Sequence, residues 1–223
     1  GCTLTVVLCV LAALLGLAGA WRARSFFWSG GLIIGAIAAV TYAIPNDVAF
    51  KVYYACGASM LPGWIGVGSL QLAFGRKLAR WPGVLVIVLS ALQLGLTLPA
   101  TVSPAAPATL DGGNGAGVLV MGSWVVPTVL FNTFGLGFAA VAAFFAWWQA
   151  FRLPDNERAL RAIGLSIVVL GILARSDGVY QLLQRAGGSS IFMLLDVVAF
   201  GLIWAGAEVS RLVAGRRPEP VLA

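Results

Sequence analysis

The sequence contains no histidine. Without imidazole, the usual haem, chlorophyll-type, zinc and di-iron ligand sets cannot be assembled, and His-based general acid–base catalysis is excluded. Lysine is confined to Lys51 and Lys77. Both fall near span ends, so a retinal Schiff base inside a helical bundle has no lysine to form on. The three cysteines, Cys2, Cys9 and Cys56, lack metal-type spacing and read as small buried residues. A bridge between the first and third spans stays open, because spacing does not decide it. No Gly-x-Ser-x-Gly, phosphate loop or paired acidic metal motif occurs. These absences point to a non-enzymatic protein with no cofactor and no metal.

Charge is scarce as well. Only 10% of the chain is Asp, Glu, Lys or Arg, 60% is hydrophobic, and the mean hydropathy is +0.96. Stretches 3–20, 25–46, 52–75, 81–110 and 112–151 carry no charged residue at all. A bilayer core of about 30 Å takes about 20 apolar residues per helix, so 223 residues accommodate about seven spans and little else. The reading is a single all-α polytopic membrane domain over residues 1–223. Its spans fall near 3–20, 26–44, 52–74, 83–101, 118–150, 162–183 and 191–213. The run 3–20 is taken as a true first span, since it lacks a basic leader and is followed by Arg22 and Arg24.

The cations sort by junction. Arg22 and Arg24 follow the first span, Arg76, Lys77 and Arg80 the third, Arg152, Arg158 and Arg161 the fifth, and Arg211, Arg216 and Arg217 the seventh. Those eleven share one side, whereas the opposite loops hold only Lys51 and Arg185. The positive-inside rule then puts the N-terminus outside and the C-terminus in the cytoplasm of a multi-pass cell-membrane protein. It also accounts for the net charge of +6 without a nucleic-acid partner. The expected partners are the lipid bilayer and other integral membrane subunits or further copies of the chain. Trp21, Trp28, Trp81, Trp147 and Trp148 gather at the inner ends, and Tyr42, Tyr53 and Tyr54 at the outer ends, as interfacial belts.

Proline and glycine mark three departures from plain spans. Pro62-Gly63 interrupts the third, which reads as a broken helix or a kink. Pro127 falls inside an overlong fifth and is expected to hinge it, leaving 118–126 as an outer or partly re-entrant piece. The connection 103–117 reads as a Pro segment followed by a turn-rich tip. Gly31-x-x-x-Gly35-x-x-x-Ala39 and Gly135-x-x-x-Ala139-x-x-x-Ala143 mark close helix contacts.

Trp64-Ile65-Gly66, Leu72 and Gly75-Arg76-Lys77 return 140 residues later as Trp204-Ala205-Gly206, Leu212 and Gly215-Arg216-Arg217. A parallel 3+1+3 pseudo-repeat with the fourth span as connector would produce that offset. In topology alone this plan is similar to the sugar-exporter (SWEET) class.

Ionisable groups inside spans are expensive and should face the bundle with partners. Arg175, Asp177 and Tyr180 in the sixth span and Asp196 in the seventh reach comparable outer depths, at about 1.5 Å per residue. They are the candidate ligand-binding residues, as a polar pocket open to the outside or as an interhelical ion-pair staple. Gln71, Gln93, Asn132 and Gln149 read as interhelical hydrogen-bonding amides. The functional expectation is small-solute transport or ligand sensing between spans six and seven. An accessory or scaffold subunit of a larger membrane assembly is the alternative.

Overall fold

The computed structural model describes residues 2–22, 25–44, 46–103, 118–119, 122–152 and 156–174, together with 194, 197–198, 201–202, 204–205 and 209. Among these the fold is helical, apart from one short strand pair. Helix α1 spans Cys2–Arg22 and α2 spans Phe26–Tyr42. The Ser25 hydroxyl caps α2 by accepting from the Trp28 amide at 3.4 Å. Asn46 caps α3 (Asp47–Tyr53) through the Ala49 amide at 2.8 Å, and Asp47 sits favourably in the first turn.

From α3 the helix continues without interruption into a π-helical segment, Tyr54–Met60, and then α4, Leu61–Phe74. Gly75 stops it with φ 86° and ψ 174°. That backbone region is open to glycine almost alone. A Cβ there would meet nothing, so the dihedral angle rather than space demands glycine. One residue therefore turns the chain, and α5 begins at once, spanning Arg76–Thr97. Strand β1 (Val102–Ser103) pairs antiparallel with β2 (Val118–Leu119), and α6 (Val125–Arg152) and α7 (Asn156–Ala174) follow.

Two sequence expectations shift in detail. The helix expected over 118–150 starts at Val125, since Val118 and Leu119 belong to the strand pair. Pro127 consequently lies in the first turn of α6, where an N–H has no intrahelical acceptor and proline fits without breaking a bond. The fourth helix starts at Arg76, ahead of the expected 83, and carries Pro82 within it. The span expected over 191–213 lies mostly outside the described residues. Among the described residues two helices, α5 and α6, are long and apolar enough, by length and composition, to cross a membrane.

Side-chain pairings establish an up-and-down order. Ser29 Oγ reaches the Ala20 carbonyl at 3.0 Å, and Ser25 Oγ reaches Gln71 Oε1 at 2.8 Å. Trp64 Nε1 donates to Ser90 Oγ at 3.0 Å, and Trp147 Nε1 to Ser166 Oγ at 3.0 Å. Helices α4 and α6 run parallel: Tyr54 meets Trp124, Gly66 meets Gly135, and Phe74 stacks on Phe145 at 4.3 Å. Every described arginine thus falls at one end of the bundle, with Lys77, while Lys51 is at the other, bonded to the Leu98 carbonyl at 2.9 Å.

The interior is built from small residues at direct contact. A Cβ on Gly66 would overlap the Gly135 backbone, and one on Gly135 would overlap Pro62. Ala139, Ala142 and Ala143 continue that seam in a core with Leu32, Ile65, Leu165 and Val168. The glycine-alanine stripes read from the sequence are therefore contact lines, with Gly31 against Ile65 on the second one.

Candidate functional site

The sequence-predicted ligand residues Arg175, Asp177, Tyr180 and Asp196 lie outside the described residues, which reach Ala174 in α7. The predicted hinge residues are described. Pro62 and Gly63 are buried where the π segment gives way to α4, with the Phe131 ring against Gly63.

The described polar centre forms around that junction. Proline has no N–H, so Pro62 cannot donate to the Ala58 carbonyl four residues earlier. Asn132 of α6 brings a side-chain donor to this junction, its Nδ2 reaching Ala58 O at 2.9 Å and Thr128 O at 3.0 Å. Neighbouring helices re-satisfy backbone groups in this way when proline is tolerated in an apolar setting. The π register shows in the Leu61 amide, which bonds the carbonyl of Cys56, five residues back.

One turn farther along, a strip of polar side chains crosses from the π segment through α6 to α5. Ser59 Oγ and Thr128 Oγ1 are 2.8 Å apart, Thr128 Oγ1 lies 3.3 Å from Gln93 Oε1, and Gln93 Nε2 donates to Thr97 Oγ1 at 2.8 Å. Ser59, Gln93 and Thr97 have no exposed surface, and Thr128 has 4%. Thr128 has a single hydroxyl proton but faces two acceptors, Gln93 Oε1 and the Trp124 carbonyl at 3.0 Å. The strip is short of protons at that point, and its donors can be arranged in more than one way.

Of the amides singled out by sequence, Asn132 joins α6 to the π segment and Gln71 joins α4 to α2. Gln93 bonds within α5 and across to α6. Ser59 and Thr128 carry no sequence signal beyond their closeness to Pro62 and Pro127. Cys9 and Cys56 are buried thiols in one apolar cluster with Tyr42, Tyr53 and Met60. Trp64 and Trp204, the anchors of the suggested repeat, sit differently. Trp64 packs on Gly30 and Gly31 of α2, whereas Trp204 lies against Gly19 of α1, its buried indole nitrogen without a partner among the described residues.

No protein-family model, curated relative or solved structure matches this chain.

Proposed function

We propose that the chain is a non-enzymatic integral membrane bundle of seven spans, with its N-terminus outside. The observation that carries this reading is the inverted distribution of polarity. Leu4, Val7, Val10, Leu14 and Leu17 of α1 and Val84, Leu85, Ile87, Val88 and Leu92 of α5 are exposed, while Ser59, Ser69, Gln93 and Thr97 are sealed inside. In water those ten side chains alone would cost on the order of 10 kcal/mol, comparable to the net stability of a domain. A soluble protein's core helix would be mostly buried, but only 22% of the apolar window of α5 and 33% of that of α6 are. The uninterrupted rod 47–74 would extend about 42 Å, enough to cross a hydrocarbon core of about 30 Å. Cations gathered at one end agree with a cytoplasmic face there.

Within that frame, small-solute transport or ligand sensing is the working role, with Arg175, Asp177, Tyr180 and Asp196 as the binding residues. The π segment beside Pro62 supports it, since such segments recur where helices rearrange or bind. Direct backbone packing of Gly66 on Gly135 favours the second reading, a rigid accessory subunit of a larger membrane assembly.

Reconstitution into proteoliposomes separates the two. Arg175→Gln, Asp177→Asn and Asp196→Asn abolish solute uptake or ligand response in the first case. Full activity in all three, together with loss of co-purifying subunits on altering exposed aromatics such as Phe144 and Phe151, establishes the second.

A further inference from the structure

The α4–α5 corner has a second feature, which the polar strip does not use. Because Gly75 turns the chain in one residue, Arg76, Lys77 and Arg80 crowd the opening turns of α5. The helix dipole already presents positive potential there, so three cations are unfavourably placed unless an anion joins them. No Asp or Glu occurs between Asp47 and Asp111 to supply one from the neighbouring chain.

These three side chains border an open pocket of about 420 Å³ whose apolar walls include Phe27, Gly83, Val84 and Ile87. A Cβ on Gly83 would overlap the Phe27 ring, so the glycine sets how closely the aromatic wall approaches α5. Gln71 also lines the pocket, and with its oxygen held by the Ser25 hydroxyl at 2.8 Å it offers N–H donors. The slot is cationic at one end and apolar along its length. It opens beside exposed Trp81, Val84 and Ile87.

We propose that this corner binds an anionic membrane phospholipid, with its phosphate on Arg76, Lys77 and Arg80 and an acyl chain along Phe27, Gly83 and Ile87. A small anion would satisfy the cations and leave the apolar wall bare, whereas a phospholipid covers both. Basic pockets at cytoplasmic helix ends suit acidic headgroups for the same electrostatic reason. The inference rests on the membrane reading above.

The test uses the full chain in neutral detergent, titrated with phosphatidylglycerol, phosphatidylcholine or inorganic phosphate and read by native mass spectrometry. Wild type should retain phosphatidylglycerol in preference to phosphatidylcholine. The triple variant R76Q/K77Q/R80Q should lose affinity by about 100-fold, the scale expected for three basic contacts. The equally charge-depleted R152Q/R158Q/R161Q should keep it. Ile87→Trp, which fills the slot and leaves the charges, should weaken lipid binding by itself; it decides the matter if the triple variant does not fold. Equal loss in both triple variants, no headgroup preference, unaltered binding by Ile87→Trp, or displacement of lipid by inorganic phosphate overturns the site. Release of the chain from membranes by alkaline carbonate would instead overturn the membrane reading, whatever the lipid result.

Discussion

Asn132 Nδ2 donates to the Ala58 carbonyl at 2.9 Å, meeting the acceptor that Pro62 has no N–H to reach. The two residues are 74 apart in sequence, and their bond ties the start of α6 to the π segment that leads into α4. Removing the amide should therefore test both the helix irregularity and the bundle. Asn132→Ala is expected to destabilise by about 1 kcal/mol, through loss of a half-buried hydrogen bond between the helices. In a Pro62→Ala background a backbone N–H returns, and the same substitution should cost less. Thermal unfolding in detergent of the four-member cycle measures the difference; equal losses in both backgrounds would show that the two residues act independently.

Gly66 and Gly135 bring two helix backbones into direct contact, so size alone should be decisive there. Gly135→Ala and Gly66→Ala are each expected to destabilise by about 1–3 kcal/mol, because the opposing atoms are backbone and cannot rotate away. Gly137→Ala, where a Cβ meets nothing, should be neutral or stabilising by up to about 1 kcal/mol. Melting temperatures of the three variants check this, and comparable losses in all three would refute it.

Gly75 should behave differently from both. No atom blocks a side chain, yet its φ of 86° places any other residue under strain. Gly75→Ala is expected to cost about 1–3 kcal/mol. It should also open the α4–α5 corner, which spin labels on exposed Leu78 and Trp21 would report as a changed separation.

The polar strip should show the asymmetry between breaking one partner and removing two. Thr128→Val leaves Ser59 and Gln93 buried without their shared neighbour and is expected to cost about 1–3 kcal/mol. Adding Gln93→Leu, Ser59→Ala and Thr97→Val should recover part of that loss, since the groups that depended on one another are then all gone. A quadruple variant less stable than Thr128→Val would mean that the strip matters through packing rather than hydrogen bonding.

Orientation is open to direct labelling. In a chain with Cys2, Cys9 and Cys56 replaced by alanine, a single cysteine at Asn46 should react with an impermeant maleimide on intact cells. One at Arg152 should react only after permeabilisation. The reverse pattern would invert the proposed topology.

Much of the helical layout was legible in the linear pattern. Charge-free runs of span length predict helices, and the ends of α1, α2 and α4 fall within a few residues of expectation. The Gly31 and Gly135 stripes were legible for the same reason, since a repeat of four residues keeps one helix face small. Misplacement occurred where local rules compete. Pro127 reads equally as an internal kink and as a first-turn residue until the helix start is known. Val118 and Leu119 are apolar enough for a helix, but pair with Val102 and Ser103 as strands.

What the sequence by itself determined is where apolar runs end and on which junctions the cations fall, because both depend only on the order of residues. What the tertiary structure decided is which ends meet. The parallel approach of α4 and α6, the π register beside Pro62, the Ser59–Thr128–Gln93–Thr97 strip and the slot beside Arg76 all arise between segments far apart in the chain. Nothing in the sequence around Ala58 specifies that a donor to its carbonyl stands at 132. That assignment is made only when glycine-to-glycine packing brings the two helices into contact.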